Sequence, residues 1–284
     1  MSTALAGGAV SVIPRARGVL PLARREAWRL ITSPAILVMG GYFLLIGGVG
    51  AVQDWRDLVD RASLAEFLAY VCLLLLGPVT YISAHLVASS ARRSSAGPQL
   101  DAAPMDPRRR DLALCLGVLV GPAGVALGLA LLGAWVSFGV VFTDPDGTTI
   151  VDWSVTDVAQ VPAMVLGAGI LGIVVARWLR FPGSLLVGFL GMCALTLWMM
   201  APPMPATRPW FSWFAIISWF SDVDAALTPT GSLVWHALHL VAWSWVGVCA
   251  VALRHPEGRR PWLLGLGVGM LMLAGTGVGQ LPVW

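Results

Sequence analysis

The amino-acid sequence predicts an all-α polytopic membrane protein, and three observations carry that expectation. The 284 residues are 57% hydrophobic but only 12% charged, where soluble domains carry roughly 25% charged residues. The apolar residues gather into runs close to the ~20 residues that a helix needs to cross a bilayer. All 18 basic residues are arginines, and 15 of them fall on one side of the path those runs define. Such a bias orients a membrane protein, because arginine-bearing loops stay on the cytoplasmic side.

The elements follow in order. Residues 1–18 are rich in Ala, Gly and Ser and are expected to form a disordered cytoplasmic tail. Residues 19–33 read as an amphipathic helix. Ala23, Ala27, Leu30 and Ile31 share one face, while Arg25, Glu26 and Arg29 share the other; Leu22 breaks the pattern. Such a helix is expected to lie on the cytoplasmic leaflet with its arginines toward anionic headgroups. The alternative is a plain positively charged flank of the first span.

Residues 34–284 form the expected transmembrane domain, with six to seven helices. The seven candidate runs are Pro34–Val52, Phe67–Ala88, Leu112–Phe138, Val161–Trp178, Gly183–Ala201, Leu233–Leu253 and Trp262–Gln280. Ser33 before Pro34 is a helix-start signal: a side-chain cap, then a proline whose missing donor costs nothing there. The first run lies behind five arginines, and no small-residue cleavage site follows it, so it reads as a retained span. The third run is long, and Gly121-Pro122 is expected to kink or break it.

The expected inner side holds Arg15, Arg17, Arg24, Arg25, Arg29, Arg92, Arg93, Arg108, Arg109, Arg110, Arg177, Arg180, Arg254, Arg259 and Arg260. Only Arg56, Arg61 and Arg208 fall outside. The acidic residues lean the other way, with Asp54, Asp57, Asp60, Glu66, Asp144, Asp146, Asp152, Asp157, Asp222 and Asp224 external. The N-terminus is therefore expected in the cytoplasm, and seven spans place the C-terminus outside. Trp55, Trp178, Trp262 and Trp284 sit at segment ends, where aromatic residues mark the interface. Residues 202–231 hold an external aromatic segment, with Trp210, Phe211, Trp213, Phe214, Trp219 and Phe220. The stretch from Trp210 to Phe220, roughly a dozen residues, is too short to cross and reads as an interfacial or re-entrant helix.

Several chemistries are excluded. Without lysine the chain can hold neither a Walker A lysine nor a Schiff-base lysine. No expected span carries Asp, Glu or Arg in its middle, which argues against a proton- or sodium-coupled carrier and against a channel with charged rings. His236 and His239 lie near the external end of the sixth run, His85 near the cytoplasmic end of the second, and His255 in a cytoplasmic loop. No two helices offer histidines at one depth for a haem, so polar contacts between helices are the expected role. No metal site and no catalytic residue is expected. Cys72, Cys115, Cys193 and Cys249 read as small buried side chains. No nucleophile motif and no water-exposed basic face for nucleic acid is present. Glycine pairs such as Gly124/Gly128, Gly265/Gly269 and Gly275/Gly279 permit close helix packing but are expected by chance among 32 glycines.

Taken in order, these segments resemble a type-2 ABC transporter permease, over roughly residues 20–260. Leu22, Arg24, Arg25, Glu26, Trp28 and Arg29 leading to Pro34 are similar to the family's interfacial elbow helix. The cytoplasmic loop 90–111 runs from Arg92 and Arg93 through Pro98, Gln99, Leu100, Asp101, Pro104, Met105, Asp106 and Pro107 to Arg110. It is similar to the family's segment that carries the coupling helix, which docks on an ATPase. The aromatic stretch matches the position of the family's external helical hairpin, while the seventh run departs from the common six-span plan.

The resemblance implies a permease subunit of an ATP-driven exporter in a bacterial cytoplasmic membrane, moving an apolar or amphipathic substrate such as a drug, antibiotic, lipid or glycan. The chain itself would be no enzyme and would hold no cofactor; ATP and Mg would sit on separate ABC ATPase subunits, two per assembly. A second permease copy or a sibling permease and membrane lipids complete the implied partners, without nucleic acid. Coupling would fall to Arg93, Gln99, Leu100, Asp101, Met105 and Asp106, with Leu100 and Met105 as apolar anchors. Arg92, Arg93 and Arg108–Arg110 would pair with acids of the ATPase or simply hold the cytoplasmic boundary. The other classes are a non-transport accessory or assembly subunit and a membrane-embedded enzyme or carrier. The arginine-only basic set is compatible with any of them.

Overall fold

Among the described residues, four helical stretches are long and apolar enough to cross a membrane: Pro107–Trp135, Val158–Trp178, Val234–Leu253 and Arg260–Gly279. At about 1.5 Å of rise per residue, 20 residues span the ~30 Å hydrocarbon core. The computed structural model describes residues 18–42, 45, 75–93, 106–137, 142–143, 149–150, 155–200 and 233–280. Among these, the backbone is helical apart from turns and one two-residue ladder.

Helix α1 is Val19–Ile31, and helical backbone resumes at 34–42. Ser33 caps that second piece, its hydroxyl accepting from the Ile36 amide at 3.4 Å and bonding Ser83 at 2.8 Å. Helix α2 is Gly77–Arg93. Helices α3, Pro107–Val120, and α4, Pro122–Ser137, divide the expected third span at Gly121. Pro122 has no amide to give Val118, and Gly121 adopts φ −87° and ψ −96°, off the helical path. The chain then forms an antiparallel pair of two-residue strands, β1 (Phe142–Thr143) and β2 (Thr149–Ile150), with Phe142 opposite Ile150. The sequence reading assigned no strand here, yet β-branched and aromatic residues flank Asp144-Pro145-Asp146-Gly147, a turn-forming run.

Helices α5 (Val155–Trp178), α6 (Ser184–Met200), α7 (Leu233–Leu253) and α8 (Arg260–Gly279) complete the described chain. Helix α5 starts six residues ahead of the expected Val161, whereas α7 has the expected bounds. Helix α6 is apolar along its 17 residues.

Helix α5 is the centre of the bundle, with α2, α4 and α7 packed along it; α8 packs on α7, and α1 on α3. Glycine sets the closest approach. A Cβ at Gly172 would run into the Tyr81 carbonyl oxygen, and one at Gly169 into Val118, so α2 and α3 meet α5 with almost no gap. Neither glycine belongs to the i, i+4 pairs read from the sequence; of those pairs, Gly128 and Gly275 face open space. Large apolar side chains point outward from the bundle, among them Leu264 and Leu271, the latter 75% exposed. In water they would form an aggregation-prone patch; in lipid they face their solvent.

Candidate functional site

Helix α3 begins with Asp106, whose carboxylate accepts from the Arg108 amide at 2.9 Å, followed by Pro107 at the first helical position. Three arginines in that first turn oppose the helix dipole, so their placement has another cause. Arg108 reaches across to the turn between α7 and α8. Its guanidinium donates to the carbonyl oxygens of His255 at 3.1 Å and Gly258 at 3.4 Å, and to that of Glu257. Gly258, at φ +57°, takes the left-handed conformation that closes this turn.

One turn further along α3, Asp111 is buried. One of its carboxylate oxygens accepts from Arg177, at the end of α5, and the other pairs with His255 Nε2 at 3.1 Å. The side chains of Asp111 and Arg177 are 3% and 13% exposed. A single carboxylate thus ties the arginine-rich ends of α3, α5 and the α7–α8 turn. An ion pair in so dry a setting is sensitive to loss of either partner, because the survivor is left charged without compensation.

The sequence reading missed this cluster. From the sequence Arg177 reads as an inner-boundary residue and His255 as a loop residue, and local pattern does not single out Asp111. A signal was available: Asp111 is one of five acids on the arginine-rich side, and it stands directly between Arg108–Arg110 and an apolar run.

The expected coupling residues divide as follows. Asp106 is the exposed cap of α3, and Arg93 closes the backbone of α2. Gln99, Leu100, Asp101 and Met105 lie outside the described residues, as do Trp210, Trp213, Phe214 and Trp219 of the aromatic segment and the 1–17 tail. On α1, Arg24, Arg25, Trp28 and Arg29 are exposed, Trp28 at 68%. Glu26 departs from the arginine face assigned to it: it is only 8% exposed and pairs with Arg29 at 3.0 Å. The reason is that α1 lays Ala23, Glu26 and Ala27 onto Gly117 and Gly121 of α3. The small-residue face therefore covers protein, and the outward line is Leu20, Arg24 and Trp28.

The histidines of α7 face α8. His236 Nδ1 donates to Gln280 Oε1 at 2.8 Å. Trp243 Nε1 donates to His239 Nε2 at 3.1 Å, so the His239 proton sits on Nδ1 and goes to Thr276 Oγ1 at 2.9 Å. Thr276 passes its own proton to the Met272 carbonyl at 2.7 Å. Both His239 nitrogens are engaged, Nδ1 across to α8 and Nε2 by Trp243 of its own helix. At the other end His85 Nε2 bonds Ser184 Oγ at 3.1 Å. Among the described residues, no group of three or more His, Cys, Asp or Glu side chains is placed to hold a metal ion.

No protein-family model matches the chain, and no curated protein matches it. The chain's own helices make it membrane-embedded. The cluster is a polar junction between the ends of α3 and α5 and the α7–α8 turn.

Proposed function

We propose that this protein is the permease subunit of an ATP-driven exporter of the type-2 ABC class, with six to seven spans and its N-terminus in the cytoplasm of a bacterium. The observation that carries the reading is the Asp106–Arg108–Asp111 turn. It follows directly on residues 94–105, and its side chains grip α5 and the α7–α8 turn. A force applied to the preceding segment by a docked ATPase has a rigid polar route into the bundle. The absence of lysine puts ATP binding on another subunit.

In this reading α1 is the elbow helix, residues 90–111 the coupling segment, and 202–231 an external aromatic helix. Two ATPase subunits bind ATP and Mg, and the permease pairs with a second copy or a sibling. The substrate is apolar or amphipathic.

The test is purification of the tagged chain in mild detergent from its own host. An ABC ATPase should co-purify in stoichiometric amount, and ATP hydrolysis should require it. In proteoliposomes the isolated chain should neither bind ATP nor move substrate. Transport by the isolated chain on a proton or sodium gradient would sink the proposal.

A further inference from the structure

Helices α1 and α3 pack closely along their length, whereas α3 meets α5 closely at Val118 over Gly169, three residues before Gly121. The α1–α3 pair is thus an arm beside the bundle. Besides the Ser33–Ser83 bond to α2 and the Val118–Gly169 contact, three connections hold it. One is the chain break at Gly121–Pro122, where α3 passes into α4. The second is a seam in which Leu30, Leu114, Cys115 and Val118 share an apolar cluster with Ala84 and Ile173. The third is polar: Asp111 on Arg177 and His255, with Arg108 on the turn carbonyls.

We propose that Asp111 is a latch, and that the α1–α3 arm swings about Gly121–Pro122 when the latch opens. The hinge has a physical basis, since a proline removes one rung of the helical ladder and Gly121 already sits off the helical path. The latch has one as well. A buried carboxylate shared by an arginine and a hydrogen-bonded histidine holds strongly only while all are in place, so the contact is made or broken as a unit. The strongest ties of the arm lie at its far end from the hinge, where they have the longest lever. The device goes beyond the exporter reading and depends on no ATPase.

A native reporter lies beside the latch. Cys115 is a free thiol one turn past Asp111, 4% exposed and inside the seam. The experiment follows maleimide labelling in lipid nanodiscs of two single-cysteine chains, one keeping Cys115 and the other Cys249, which is buried on α7. Asp111→Asn and His255→Ala should each speed labelling of Cys115 by about tenfold or more, as expected for local opening, with Cys249 unchanged. Adding Pro122→Ala to Asp111→Asn should slow Cys115 again, because it restores the missing amide at the hinge. If Asp111→Asn does not fold, His255→Ala, whose side chain is partly exposed, carries the test together with Pro122→Ala. Unchanged Cys115 labelling in the latch variants would overturn the latch. An equal rise at Cys249 would do the same, since it marks general loosening. Labelling insensitive to Pro122→Ala would overturn the hinge.

Discussion

Asp111 and Arg177 form an ion pair across 66 positions of sequence, at the arginine-rich ends of α3 and α5. Its energetics are asymmetric. Asp111→Ala should destabilise the protein by about 3–5 kcal/mol, the usual consequence of stranding a buried partner. Replacing both, as in Asp111→Leu with Arg177→Met, should recover most of that loss. Thermal unfolding in nanodiscs reads the order of midpoints. A double variant as unstable as the two single changes summed would show that the two side chains do not act together.

Glycine positions offer a paired comparison. Gly172→Ala should cost about 1–3 kcal/mol, because the new methyl meets the Tyr81 carbonyl oxygen and backbone cannot yield. Gly128→Ala, with nothing within 4 Å, should be neutral or stabilising by up to about 1 kcal/mol of helix propensity. Equal midpoints for the two variants would contradict the close α2–α5 approach.

Thr276→Val keeps the shape of the side chain and removes the acceptor of His239 Nδ1–H. Its cost should be about 0.6–2 kcal/mol, the range for a hydrogen bond between membrane helices. His239→Ala should change neither the metal content nor the visible absorbance of the purified protein. A stoichiometric transition metal in the parent protein, lost in this variant, would reverse that assignment.

The arginine distribution makes a topological prediction. A cysteine introduced at Ser95, in an otherwise cysteine-free chain, should react with a membrane-permeant maleimide and stay silent to an impermeant one in intact cells. Reaction with the impermeant reagent would invert the whole orientation.

Leu100→Asp and Met105→Asp should reduce ATPase stimulation and transport while expression stays level. A charge buried in an apolar docking groove costs several kcal/mol unless paired. Full activity in both variants would move the docking site elsewhere.

Much of the architecture is a one-dimensional property. The helix α7 can be read off the sequence because lipid and protein interior are both apolar: any run of ~20 such residues must satisfy its backbone internally, whatever its neighbours. The break at Gly121–Pro122 is equally local, since a proline lacks its donor in every context. The arginine asymmetry is a count.

Partners and faces are another matter. Apolar periodicity says that Ala23, Ala27 and Leu30 share a face. It does not say whether lipid or another helix covers it, because both are equally apolar to a side chain. Only the approach of α3, with Gly117 and Gly121 beneath α1, decides that, and it draws Glu26 into the interface. Which glycines are tight depends likewise on what lies opposite: Gly172 has a carbonyl there and Gly128 has nothing. The Asp111 cluster is the extreme case. Its members are separated by 66 and 144 positions, and each alone looks like an ordinary boundary charge. The sequence by itself determined the apolar, helical character of the chain, the bounds of α7 and the broken third helix, because those follow from local composition. Tertiary structure alone decided that Arg177 and His255 share the one buried carboxylate of Asp111, because the strength of an ion pair is set by distance and desolvation, which no local pattern encodes.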